Sequence, residues 1–178
     1  MALTSTQIGA IGENLLINAV MKASDGRLSP FQPLADDDGL DVLFYDKQTG
    51  NSAAIQLKCR TTTLRRAGSE ERGHTVHFEV RHTTFNEARR AYLVGALCNE
   101  DLTDFVATWL IPMFELPQIA RNISGKWVIR PSMANDSKDR FISYRCDTAI
   151  QLAARIIAIC EADGPNGQPG MGPPAREF

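Results

Sequence analysis

Apolar residues recur at helical spacing from the start of the chain, through Ile8, Ile11, Leu15, Ala19 and Val20, and Ser5 or Thr6 stands where a cap belongs. The spacing predicts a first helix. A second series inside it, Glu13, Leu16, Ile17 and Val20, follows i, i+3, i+4, i+7, which sets Glu13 on or beside the buried stripe. Gly9 and Gly12 flank it and leave room for another element to approach. A carboxylate in such a place costs stability unless something cationic meets it.

The period then changes. "LSPFQPL" is extended, and its prolines confine it to an edge or a loop. "GLDVLFYD" (39–46) and "NSAAIQLKCR" (51–60) predict two strands of a β-hairpin across the turn-forming "KQTGN". With a loop at Thr49-Gly50, Asp41 falls opposite Lys58; with a loop over 47–50, it falls opposite Gln56. Either register places Asp41 on the face of Gln56 and Lys58, because the pleat has a period of two, and an odd loop would break the rule.

The polar stretch 61–74 has no period and reads as a mobile loop or insertion. Strands are expected over 75–80, 91–98, 104–112 and 126–131, with a helical turn at "FNEARR" and a short helix or turn at "MFELPQIA". "DTAIQLAARIIAICEA" (147–162) predicts the last helix, capped by Asp147, with Ile150, Ala153, Ala154, Ile157 and Cys160 on one face. Helix, hairpin, further strands and helix make an α/β domain with a mixed central β-sheet flanked by helices. It spans 1–163, and the Gly/Pro-rich segment 164–178 is a disordered tail.

Composition changes this picture little. Apolar residues make up 43% of the 178 and charged residues 22%, as in ordinary globular domains. No stretch reaches the roughly 18 apolar residues of a membrane span, and the first twenty residues lack a secretory pattern, so a cytoplasmic protein is expected. Cys59, Cys98, Cys146 and Cys160 stand far apart, without zinc or disulfide spacing. The net charge of −2 neither demands nor excludes a nucleic acid, but its distribution is uneven: basic residues crowd 58–66, and acids gather at Asp36, Asp37, Asp38 and Asp41. A basic stretch beside an acidic cluster suits a polyanion held near a metal ion; a solvated surface is the plainer reading.

The residues with chemistry are Glu13, Asp41, Gln56 and Lys58. Phosphodiester hydrolysis assisted by Mg²⁺ needs hard oxygen ligands, open water positions and a cation near the phosphate or the attacking water. Asp41 suits the bridging ligand, Gln56 offers a neutral amide oxygen, the backbone carbonyl of Leu57 another, and Glu13 binds directly or through water. Lys58 suits the cation. Each residue alone has a plainer explanation: Glu13 as a helix-surface acid, Lys58 as a strand-end lysine with its stem along the sheet. Their joint placement favours a site.

"GLDVLFYDKQTGNSAAIQLK", with "GEN" in the first helix, resembles the PD-(D/E)XK nuclease superfamily in its Gln-x-Lys form. The resemblance covers residues 9–60, and the later strands match in general order. It implies a restriction endonuclease-like fold, with Asp41 as the motif aspartate, Gln56 in the (D/E) place, Lys58 as the lysine and Glu13 as the first-helix acid. Two departures stand out. Gly39-Leu40 occupies the place where some members have Pro-Asp, and Gln56 removes one negative charge from the metal site. A Gln-x-Lys form occurs in the superfamily, including some group I intron-encoded homing endonucleases.

The expected activity is Mg²⁺-dependent DNA endonuclease cleavage, with Mn²⁺ as the alternative ion and DNA as the partner. A homodimer is expected because one such site cuts one strand. Arg60, Arg65 and Arg66 are candidate DNA contacts, and a partner protein is a further source of specificity. The alternative is a catalytically inactive nuclease-fold protein that binds DNA or assists assembly. Trp109 and Trp127 are expected in the core, and His77 shares a strand face with Glu79.

Overall fold

A computed structural model describes residues 3–34, 39–134 and 136–162. The expectations for Asp36 to Asp38 and for the 164–178 tail lie outside the described residues.

Helix α1 (Ser5–Ala23) starts one residue earlier than expected. The Thr4 hydroxyl accepts from the Gln7 amide at 3.2 Å and the Thr4 amide donates to Gln7 Oε1 at 2.9 Å, a reciprocal capping box. Its buried positions are Gly12, Leu16 and Val20, so the series running beside Glu13 faces the core.

The strands β1 (Leu28–Phe31), β2 (Val42–Asp46) and β3 (Ser52–Arg60) form an antiparallel meander. The chain then leaves this sheet, forms β4 (Phe78–Arg81) elsewhere, and returns as β5 (Ala91–Cys98), parallel to β3. The 61–90 crossover is what a parallel pair requires, since its strands start at the same end. β6 (Phe105–Pro112) pairs antiparallel with β5. After a 3₁₀ turn comes a four-residue helix α2 (Leu116–Ile119), then β7 (Arg121–Ile123) and β8 (Lys126–Ile129), and β9 (Arg145–Cys146) closes the far edge before α3 (Ala149–Ala162). The central mixed sheet has the order β1-β2-β3-β5-β6-β9, and a second sheet has the order β4-β8-β7.

Strand alternation distributes two cores. Val42, Phe44, Ala53, Ile55, Leu57, Val94 and Ala96 pack against Leu16 and Val20 of α1 and Leu152, Ile156 and Cys160 of α3. The other face buries Leu93, Trp109 and Ile111 against Phe78, Val80 and Ile129 of the second sheet. The two long helices thus share one face of the central sheet. Trp109 is fully buried, as expected, and Trp127 is partly buried beneath the ring of His82.

Three local expectations are corrected. Helix α3 is capped by Thr148, whose hydroxyl accepts from the Gln151 amide at 3.2 Å, while Asp147 pairs with Arg145. Its buried face is Leu152, Ala153, Ile156 and Cys160, and Ile150 is 69% exposed. The helical turn expected at "FNEARR" is a 3₁₀ turn earlier, at His82–Thr84. β7, three exposed residues with one apolar side chain, had no pattern to reveal it.

One buried ion pair sets the hairpin register. Asp46 is fully buried and takes two hydrogen bonds from Arg27, at 2.8 and 2.7 Å, while Arg27 also reaches Glu161 of α3 at 2.7 Å. The same carboxylate accepts from the Gln48 amide and the Thr49 hydroxyl, both at 3.0 Å, so it shapes the turn. The loop is therefore 47–50, with the Asp46 amide donating to Asn51. Among the described residues no helix is long and apolar enough to cross a membrane.

Candidate active site

From the 47–50 loop, the β2–β3 ladder runs to Val42 opposite Ile55. There it slips: the Asp41 amide also donates to Ile55, at 2.9 Å, so Asp41 and Val42 both oppose one residue, as in a β-bulge. Simple alternation stops at this point. The Asp41 carboxylate turns to the strand edge and accepts the Leu57 amide, at 2.5 Å. The parity expectation, which put Asp41 on the face of Gln56 and Lys58, is corrected accordingly. The Leu57 carbonyl leaves the strand on the same side as its amide, and so on Asp41's side.

Helix α1 supplies the second carboxylate. A side-chain carbon on Gly12 would stand 2.2 Å from Cys59 Sγ, so only glycine lets α1 rest on the end of β3. Glu13 follows directly. Glu13 and Asp41 meet in one cavity of about 220 Å³, lined also by Gln32, Pro33 and Leu40. The Cys59 thiol is pushed up by its hydrogen bond to Cys98 and by burial, with smaller contributions from the Glu13 and Asp41 carboxylates. It stays protonated beside them.

Gln56 lies on the opposite face of β3 from Leu57 and is 2% exposed. Its amide is covered by Gly39, where an added side-chain carbon would come within 2.8 Å of both Gln56 Nε2 and Thr84 Cβ. Gln56 Oε1 is buried and has no hydrogen-bond partner. Lys58, half-buried two residues on, pairs in register with Gly95, and its ammonium forms no hydrogen bond or ion pair with a described residue. Neither side chain lines the Glu13–Asp41 cavity. The structure thus joins the two acids and sets the amide and ammonium on the strand beside them. Among the described residues no three His, Cys, Asp or Glu side chains cluster as a metal site. Gly39, whose missing side chain leaves room for both the Gln56 amide and Thr84, escaped the sequence reading: glycine before a strand is commonplace, and Thr84 carried no signal.

The structure gives each candidate DNA contact a local partner. Arg60 folds back to the Cys59 carbonyl at 3.0 Å, Arg65 pairs with Glu70, and Arg66 pairs with Glu71 at 3.3 Å. The 61–75 segment forms a small hairpin, with an Arg65–Arg72 bridge, and its own acids offset much of its charge.

The sequence matches no protein-family model and no curated protein. Among solved structures the chain is similar to the bacterial homing endonuclease I-Ssp6803I, with a TM-score of 0.51 and 17% identity, over 87% of this chain and 96% of that one. What they share is the fold. The likeness covers most of the chain rather than the hairpin alone, and it agrees with an α/β fold built on a central mixed sheet with flanking helices.

Proposed function

We propose that this chain is a divalent-metal-dependent DNA endonuclease of the PD-(D/E)XK type, hydrolysing phosphodiester bonds at Glu13, Asp41, Gln56 and Lys58. The observation that carries the reading is the meeting of Glu13 and Asp41 in one cavity, at a strand whose opposite face buries an unpartnered Gln56 oxygen. The similar fold, in a protein described as a homing endonuclease, supports it.

The cavity's two carboxylates and the Leu57 carbonyl are hard oxygens that suit Mg²⁺ or Mn²⁺, and the Gln56 amide oxygen, on the other face of β3, is a neutral donor without another partner. A cavity of 220 Å³ has room for about seven waters at roughly 30 Å³ each, enough for a partly hydrated ion. Bound there, the ion would supply Lewis acidity toward the scissile phosphate and its attacking water. Asp41 is held for the task by the Leu57 amide, and Glu13 by the close seating of α1 on β3. Lys58 is the cation that orients the water or meets charge developing on the phosphate. Each site cuts one strand, so double-strand cleavage takes two copies of the chain.

The second reading, an inactive nuclease-fold module, draws on the same Gln56: with two acids rather than three, metal affinity is weaker. Plasmid nicking separates the two. Asp41→Asn keeps an acceptor for the Leu57 amide and removes the charge, so it tests chemistry rather than folding. We expect Mg²⁺- or Mn²⁺-dependent nicking of supercoiled DNA by the native chain. Asp41→Asn and Lys58→Ala should reduce it by roughly 100-fold or more, the scale seen when one preorganised charge-stabilising group is lost. Absence of nicking together with no Mg²⁺ or Mn²⁺ binding by calorimetry refutes the enzyme reading.

A further inference from the structure

The second sheet has a core face and an outer face. Alternation sends Phe78, Val80, Trp127 and Ile129 inward, and His77, Glu79, Arg81, Arg121, Ile123, Lys126, Val128 and Arg130 to the other side. The outer face is strongly basic in a chain whose net charge is −2. Its one acid, Glu79, is neutralised by Lys126 at 2.5 Å and takes a hydrogen bond from His77 Nε2 at 2.9 Å. His77 Nδ1 accepts from Arg130 Nε at 3.2 Å. Arg81, Arg121, Arg130 and the adjoining Arg140 form no ion pair with a described residue.

Three of these arginines share one pocket. Arg121, Arg130 and Arg140 line a pocket of about 180 Å³ together with Ile119, Val128 and Phe141, and Arg140 donates to the Ile119 carbonyl at 3.2 Å. Arginine forks beside apolar side chains suit phosphate oxygens, which they bind in pairs of hydrogen bonds. At the other end, Arg81 leads through the 3₁₀ turn to Thr84, which lies against Gly39 beside the Gln56 amide. The basic face therefore begins next to the candidate active site.

We infer that the outer face of the β4-β8-β7 sheet is the docking surface for double-stranded DNA, with a backbone phosphate seated among Arg121, Arg130 and Arg140. The inference rests on the proposed nuclease reading and shifts DNA binding away from the 61–75 hairpin, whose Arg65 and Arg66 are occupied by Glu70 and Glu71. DNA is favoured over duplex RNA by shape. The B-form major groove, about 12 Å wide, admits a strand ribbon, whereas the A-form groove is too deep and narrow.

Fluorescence anisotropy with a mixed-sequence 30-base-pair DNA duplex, in EDTA and again with Ca²⁺, tests this without cleavage. Arg121→Gln/Arg130→Gln/Arg140→Gln should weaken binding at least tenfold at low salt. It should also lower the slope of log affinity against log salt by about one, close to the 0.9 expected for one lost phosphate contact. Arg65→Gln/Arg66→Gln should change neither by more than about twofold, and matching melting temperatures would show that both variants fold. The inference is overturned if the triple variant binds as the native chain does, if only the Arg65/Arg66 pair matters, if an RNA duplex binds as tightly as DNA, or if the native chain does not bind DNA. Normal binding without any Mg²⁺-dependent cleavage by the native chain sinks the nuclease reading and leaves the docking surface standing.

Discussion

Substitution of Gly39 by alanine probes the support of the site directly. Gly39 has φ +67°, and a side-chain carbon there would stand 2.8 Å from Gln56 Nε2, 2.8 Å from Thr84 Cβ and 3.1 Å from Thr84 Cγ2. Two costs add. The left-handed backbone costs a non-glycine residue roughly 1–2 kcal/mol, and forcing a carbon into a filled space typically costs a further 1–3 kcal/mol. The Gln56 amide is the end of a flexible side chain and can yield, but Thr84 Cβ is anchored to the backbone of a 3₁₀ turn and cannot. Gly39→Ala should therefore lower the unfolding free energy in urea by about 3 kcal/mol. Gly68→Ala is the matched control: φ is +72° with nothing within 4 Å, so only the backbone cost of about 1 kcal/mol remains. In a double-mutant cycle, Thr84→Gly should recover about 1–2 kcal/mol of the Gly39→Ala loss. Because the displaced group is the Gln56 amide, divalent-ion affinity should fall in Gly39→Ala and stay unchanged in Gly68→Ala. Equal costs at the two glycines would refute the contact argument.

Three further outcomes follow from the same geometry. The Arg27 hydrogen bonds hold the Asp46 carboxyl down to about 2, from the usual 3.8, so its contribution is complete above pH 4 and is lost as pH falls through 2. For this buried group that amounts to about 2 kcal/mol, and Asp46→Asn should flatten the acid limb of a denaturation-versus-pH curve. Gln56→Glu puts a third carboxylate into the buried site, so it should lower the melting temperature in EDTA and recover it in millimolar Mg²⁺. An unchanged melting temperature on adding the ion would count against Gln56 facing a metal. On α3, Ile156→Ala should cost about 2–5 kcal/mol in urea unfolding. Ile150→Ser should cost less than about 0.5 kcal/mol, and the reverse order would mean that the buried face of the helix is misassigned.

Local patterning carried the elements that bury a regular stripe or strand face. α1, the β2–β3 hairpin, β5, β6 and α3 are legible because period and burial coincide in them, and Glu13, Asp41, Gln56 and Lys58 could be singled out as polar groups in or beside those patterns. The details that patterning missed are nonlocal. The 47–50 loop was one of two registers until Arg27 and Asp46 locked it, and no hydropathy pattern shows a bulge at Asp41, because a bulge is an irregularity in pairing. The side of the sheet that each helix covers, and the existence of β7, depend on which strands pair across long loops.

The sequence by itself determined the class of the domain and the residue types of the candidate site, since hydrophobic spacing and unusual polar positions are local properties. Only the tertiary structure decided that Glu13 and Asp41 share a cavity, that the Gln56 oxygen is buried without a partner, and that the hairpin arginines are paired. It also gathered Arg81, Arg121, Arg130 and Arg140, sixty residues of chain, onto one sheet face and its edge. Their separation along the chain hides them as a patch; strand pairing, a contact between distant segments, is what brings the charges together.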